Sequence, residues 1–207
     1  MLMKKSVTDF LAELKSNSPA PGGGSVAALA GALAAALGVM VGNLTLGSAK
    51  CADAHDEAGT LKCDLEKALT RLASYVDEDT AAFNEVMAAY KLPKDSDEDK
   101  AIRGQAIQAA LQKAAKLPLE VAATCVGVLE LSHRMLAIGN PNAASDAAVA
   151  GRLAHAGVWA ALYNVRINLA SIKESSFLET AGAEVRALAQ KADAALAALS
   201  QKAEEVI

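Results

Sequence analysis

The sequence predicts an all-α fold, and three observations carry that prediction. Alanine, the residue with the highest intrinsic helix propensity, makes up close to a quarter of the 207 residues. Apolar side chains recur at helical spacing throughout, and no stretch alternates with the period of two expected of a half-buried strand. Aromatic residues are only 3% of the chain against 53% hydrophobic residues overall, so the core is built from small aliphatic side chains. The length suits one domain, 1–207, a single helical bundle of about six helices.

The first helix, about 7–16, opens at Ser6 with Asp9 three residues on, a capping arrangement, and presents Phe10, Leu11 and Leu14 on one face. Residues 18–25, Ser-Pro-Ala-Pro-Gly-Gly-Gly-Ser, follow; the prolines forbid helix continuation and the glycines permit backbone angles closed to other residues. The second helix, about 25–46, carries no formal charge. Its uninterrupted apolar run is about 16 residues, short of the roughly 20 that span a bilayer, and is rich in Ala and Gly. The reading favoured over membrane insertion is a helix buried on all sides, with Ala27, Gly31, Ala35, Gly38 and Gly42 admitting neighbouring backbones. The third, about 52–91, has an apolar stripe of Leu61, Leu65, Leu69, Leu72, Val76, Phe83 and Met87 and stops before Pro93. The fourth, about 97–138, starts at the cap Ser96 and is expected to bend or break near Pro118. After the loop Gly139-Asn140-Pro141-Asn142 come a fifth helix, about 143–173, and a sixth, about 177–203, for which Ser176 and Glu179 read as a capping box.

Charge and motif content exclude several classes. Twenty basic and 24 acidic residues give a net charge of −4 with no basic stripe, which argues against nucleic acid as a partner. Cys51, Cys63 and Cys125 are odd in number and widely spaced, so neither a disulfide framework nor a zinc site is expected, and a reducing cytoplasm fits. The scattered His55, His133 and His155 have no partner at metal-ligand spacing. No metal and no prosthetic group is expected, and no signal segment is read at the N-terminus.

Three places can carry chemistry. The glycines Gly22, Gly23 and Gly24 with Ser25 precede an apolar helix; free N–H groups there suit an anion, and the alternative is a tight turn capped by Ser25. In Asp77-Glu78-Asp79, Asp79 shares a face with Phe83 and Met87, so its carboxylate leans toward the apolar stripe. A carboxylate so placed is paired, solvated in a cleft, or raised in pKa for acid–base work. On the fifth helix, Asp146 and Asn164 are 18 residues, five turns, apart and lie on one face with Asn168. That polar line either bonds neighbouring helices or lines a pocket.

Four stretches together resemble the formiminotetrahydrofolate cyclodeaminase and methenyltetrahydrofolate cyclohydrolase family: 18–29 (SPAPGGGSVAAL), 79–94 with its D-x-x-A-F and K-L-P-K elements, 139–149 (GNPNAASDAAV) and 164–169 (NVRINL). They stand in the family's order and cover nearly the whole chain. The resemblance implies an all-helical cytoplasmic enzyme, dimeric or larger, acting on a tetrahydrofolate substrate without metal or nucleotide. It is a lyase closing 5-formiminotetrahydrofolate to 5,10-methenyltetrahydrofolate with release of ammonia, or a hydrolase interconverting 5,10-methenyl- and 10-formyltetrahydrofolate. In animals this domain follows a formiminotransferase, and the sequence resembles the stand-alone microbial form.

By similarity the acid/base role falls on Asp79, with Lys94 and Asp146 as further catalytic participants. Gly22, Gly23, Gly24 and Ser25 become a binding loop, and Asn140, Ser145, Asn164 and Asn168 bind the pterin or p-aminobenzoyl groups. Residues 47–51, Gly-Ser-Ala-Lys-Cys, are less basic than the family pattern, which weakens any expectation about a polyglutamate tail. The competing reading is a folate-binding or scaffold protein that keeps this architecture without turnover. A bundle so poor in large aromatics is expected to leave an apolar face that a homodimer covers.

Overall fold

A computed structural model describes every residue from Met1 to Ile207. The six helices are α1 (Val7–Leu14), α2 (Gly23–Leu46), α3 (His55–Tyr90), α4 (Asp97–Ile138), α5 (Ala144–Leu169) and α6 (Ser175–Val206), with short 3-10 turns at Leu2–Lys4, Ala49–Ala54 and Pro141–Ala143. Helices α2, α3, α4 and α5 form a closed ring of neighbours, and α6 lies across α4 and α5. Leu61, Leu65, Leu72 and Val76 of α3, Leu129 and Met135 of α4 and Leu162 of α5 fill the centre with almost no exposure.

The caps at both ends of the first half match the sequence. Ser6 accepts from the Asp9 N–H, and Ser96 forms a reciprocal capping box with Asp99. At α6 the expectation fails: the helix starts at Ser175 without a side-chain cap, and the Ser176 hydroxyl donates to Glu174 instead. Helix α4 does not break at Pro118 but runs through it from Asp97 to Ile138. Proline removes one rung of the hydrogen-bond ladder, so the carbonyl four residues back, Ala114, needs another donor.

The close approach expected at Gly31, Gly38 and Gly42 is met, while the special backbone angles expected of Gly22, Gly23 and Gly24 are not, since no glycine has a positive φ. A Cβ on Gly31 would sit 3.1 Å from both Leu72 methyls and press on the Cys125 sulfur, and one on Gly38 would lie 2.9 Å from Leu65. Gly157 of α5 meets the same sulfur and the Ala27 carbonyl of α2. Burial pushes the Cys125 thiol up to about 12, so it is a packing atom and not a nucleophile. Nor is α2 buried on all sides, because Val26, Leu33, Met40 and Leu44 stay exposed along one stripe. By length and composition α2 and α4 are apolar enough to cross a membrane, yet 56% and 50% of their most apolar windows are buried inside the bundle.

Gly31→Val tests the close approach. Forcing extra methyl groups into this contact is expected to cost about 1–3 kcal/mol. In thermal melts the midpoint should fall by about 2–4 °C for each kcal/mol lost at this chain length. An unchanged midpoint would mean that the neighbours yield freely.

Candidate active site

The N-terminus of α2 has no cap of its own. Gly22 occupies the N-cap position and offers no side chain, which leaves the first N–H groups of the helix unpaired. The missing acceptor comes from α3. Asp79 reaches the helix end, where the Ser25 backbone N–H and the Ser25 hydroxyl, 3.0 Å from Oδ2, hold its carboxylate. Gly24 makes this approach possible, since a Cβ there would lie 2.6 Å from the Asp79 Cγ. The glycine run therefore admits a carboxylate from within the chain to the helix end.

Asp79 is mostly buried, and desolvation raises its pKa above the ordinary aspartate value. The two Ser25 hydrogen bonds pull the other way without cancelling that effect. Ser25 suits a group that changes protonation state. Its hydroxyl lies 2.9 Å from the Val76 carbonyl and 3.0 Å from Asp79 Oδ2, but it has one hydrogen to give. When Asp79 is ionised the hydroxyl donates to it. When Asp79 is protonated the hydroxyl turns to Val76 and accepts from the carboxylic acid. Either state leaves the buried pair satisfied.

In front of Asp79 opens a cavity of about 230 Å³. Gly22, Gly23, Gly24 and the Pro19–Ala20 stretch form one side, Ala82, Phe83 and Val86 of α3 continue from Asp79, Leu111 and Ala114 come from α4, and Asn164 and Asn168 come from α5. Both asparagines have their amide nitrogens engaged, Asn164 Nδ2 on the Ala160 carbonyl and Asn168 Nδ2 on the Ala114 carbonyl, each at 2.8 Å. No lysine or arginine lines the cavity. Its polar side chains offer a carboxylate and amide oxygens, which suit a cationic or hydrogen-donating group, beside the backbone of Gly22, Gly23 and Gly24 at the start of α2.

The structure thus brings together Asp79, Gly22, Gly23, Gly24, Asn164 and Asn168 and separates the other candidates. Ser25 is fully buried behind Asp79 and holds the carboxylate instead of touching a ligand. Asp77 accepts the Leu2 N–H and does not reach the cavity. Asp146 shares a helix face with Asn164, but 18 residues of helix put it about 27 Å away. Asn140 and Ser145 lie near that same far end; the Asn140 side chain bonds the Leu44 carbonyl and its N–H donates to Thr45, fastening the start of α5 to the end of α2. Lys94 is exposed in the connection beyond α3, outside the cavity lining. Leu111 and Ala114 escaped the sequence reading, because one apolar position on a long helix gives no sign that it faces a hole. No group of three His, Cys, Asp or Glu side chains stands where it could hold a metal ion.

Comparison with known proteins bears on this geometry. A family model described as formiminotransferase-cyclodeaminase matches residues 6–187, which include every cavity residue. The chain belongs to this family. A methenyltetrahydrofolate cyclohydrolase from Methylorubrum extorquens is 40% identical over 94% of this chain and 93% of its own length. The formimidoyltransferase-cyclodeaminase of Sus scrofa is 36% identical over 92% of this chain, which spans only 35% of that longer protein. Among solved structures, a formiminotetrahydrofolate cyclodeaminase from Thermotoga maritima superposes with a TM-score of 0.89 at 28% identity, covering 100% of this chain and 99% of the other.

The raised pKa of Asp79 fixes the sign of a stability test. A carboxyl group whose pKa is higher folded than unfolded stabilises the fold while protonated, and that contribution is lost as pH rises through the folded value. Asp79→Asn should therefore melt above the parent at about pH 8, with the gap closing as pH falls toward the ordinary aspartate value of about 3.9. A variant melting below the parent at the higher pH would show that the ionised carboxylate is a net stabiliser.

Proposed function

We propose that this chain is a folate one-carbon enzyme in which Asp79 moves protons at the carbon carried between N5 and N10 of tetrahydrofolate. The observation that carries this reading is the buried carboxylate, raised in pKa, facing a cavity with no cation and backed by a hydroxyl that serves either protonation state. Family membership supplies the substrate class, since the relatives named above are cyclohydrolases and cyclodeaminases. Phe83, Val86 and Leu111 offer an apolar wall to a flat ring, and the cavity volume suits the bicyclic head of the ligand with its tail outside.

In the hydrolytic direction, water adds to the methenyl carbon of the 5,10-methenyl cation and gives one proton to Asp79. The C–N5 bond then breaks, N5 takes that proton, and the carbinol O–H proton leaves as the formyl carbonyl forms on N10. In the deaminating direction, N10 attacks the protonated formimino carbon and its proton passes through Asp79 to the departing nitrogen. Ammonia leaves with the electron pair of its C–N bond, and the methenyl cation remains. Both routes cross a tetrahedral carbon, and an ionised Asp79 beside it also stabilises the cationic end state.

The Methylorubrum extorquens relative, 40% identical, is named as a cyclohydrolase, and the Thermotoga maritima structure, 28% identical, as a cyclodeaminase, so hydrolysis of 5,10-methenyltetrahydrofolate is the first reaction to follow by absorbance, with cyclisation of 5-formiminotetrahydrofolate the second. Asp79→Asn is expected to keep its helical circular dichroism and lose kcat by at least about 100-fold, the low end for a general acid–base group. Retention of kcat within a few-fold removes Asp79 from the mechanism. Tight binding of 5-formyltetrahydrofolate without turnover of either substrate would leave a folate-binding scaffold as the function.

The same reading includes a homodimer in a reducing, cytoplasmic setting, where three free thiols are stable. Val26, Leu33 and Met40 recur every seven residues on the open side of α2, and Tyr163 and Ile167 project from neighbouring α5 with 60% and 71% exposure. Exposed apolar side chains on two neighbouring helices are what a two-fold contact can bury. Light scattering at micromolar concentration should give about twice the 21.2 kDa chain mass, and Leu33→Glu should shift it toward one chain. A parent that is stably monomeric would sink the dimer.

A further inference from the structure

Pro118 and Asn168 are linked through one carbonyl oxygen. Pro118 lies buried in the interior of α4 and has no N–H, so the Ala114 carbonyl lacks the donor four residues on that a helix normally gives it. The proline ring also crowds that carbonyl and tilts it away from the helix axis. Asn168 of α5 supplies the missing donor, with Nδ2 at 2.8 Å from Ala114 O.

The contrast with Asn164 shows that this bond is specific. Asn164 takes the ordinary local option and donates to Ala160, one turn back on its own helix. The equivalent acceptor for Asn168 would be the Asn164 carbonyl, and it is passed over for a group on another helix. With Nδ2 committed to the wall, Asn168 Oδ1 has no partner within the chain and is not sealed from solvent. Ala114 and Asn168 both line the cavity, so this arrangement decides which end of the amide the ligand meets.

We propose that Pro118 is a positioning residue of the site: by withholding a backbone N–H from Ala114 it anchors Asn168 with Oδ1 presented to the cavity, as an acceptor for the N–H edge of a reduced pterin. This deepens the folate reading and rests on it for the ligand's identity. Asn164 Oδ1, Asn168 Oδ1 and Asp79 then form an acceptor set matched to a donor-rich ring edge. Turning the Asn168 amide over would bring its NH₂ group against those donors and leave the Ala114 carbonyl buried without a partner.

Pro118→Ala gives Ala114 back its intrahelical N–H and lets the carbonyl return toward the axis. With 5,10-methenyltetrahydrofolate as substrate, KM should rise about two- to tenfold, the worth of one neutral hydrogen bond, while kcat stays within twofold. The melting temperature should hold or rise, because a helix-interior proline has been removed. An affinity loss without a stability loss is not what a packing defect gives. An unchanged KM overturns the proposal.

A double-mutant cycle reads the link without any ligand. Asn168→Asp keeps the shape but replaces the donor with an oxygen facing Ala114 O, so it should lower the melting temperature in the parent and much less in Pro118→Ala. Additive shifts overturn the linkage whatever the ligand is. Strong coupling in a protein that neither binds nor turns over folates would instead retain the Pro118–Asn168 link and overturn the pterin assignment.

Discussion

The fold depends on how near α2 is allowed to come to its neighbours. Where Gly31 and Gly38 face α3 and α4 a single methyl group would overlap an existing side chain, and at Gly42 and at Gly157 of α5 it would press tightly on its neighbours. Closeness of this kind suits a core poor in aromatics, because small side chains gain dispersion energy only when backbones nearly touch. It also fixes α2 along its axis, and that axial placement delivers its bare N-terminus to Asp79. The active-site geometry is the last contact in a series that begins in the core.

That contact sets two demands against each other. Capping by a carboxylate favours the helix end, while burial of the same carboxylate works against ionisation. A group needed only for stability would have been met by an Asp or Asn at the N-cap itself, where water could share the charge. Bringing the carboxylate in from another helix leaves it partly desolvated and able to exchange a proton, with Ser25 adjusting its hydrogen to match. The same burial that raises its pKa costs stability while it is ionised.

Helix spans were legible in the sequence because propensity, caps and prolines are local signals; α4 begins and ends where Ser96 and Gly139 indicated. Asp79 was legible too, as a charge on an apolar stripe. What failed was the step from a shared face to a shared site. Helical phase places Asp146 beside Asn164 in angle but says nothing of axial distance, and five turns separate the two ends of the bundle. The same limit misplaced Asn140, which fastens the opposite end, and Ser145, exposed beside it. Gly22, Gly23 and Gly24 were noticed for the wrong property, since sequence alone does not distinguish a residue chosen for its φ angle from one chosen for the space it leaves. Pro118 was read as a disturbance of α4, and its partner on α5 lies 50 residues further along the chain.

One consequence follows from the N-terminus of α2 being capped by a residue of α3. Residues 18–22 are the lead-in to that helix end, Pro19, Ala20 and Gly22 among them line the cavity, and the bond that seats the helix end runs through Asp79. A neutral carboxyl group holds a helix N-terminus less firmly than an ionised one. A change of charge on Asp79 is therefore felt on two sides at once, by the cavity in front of it and by the backbone segment that encloses that cavity.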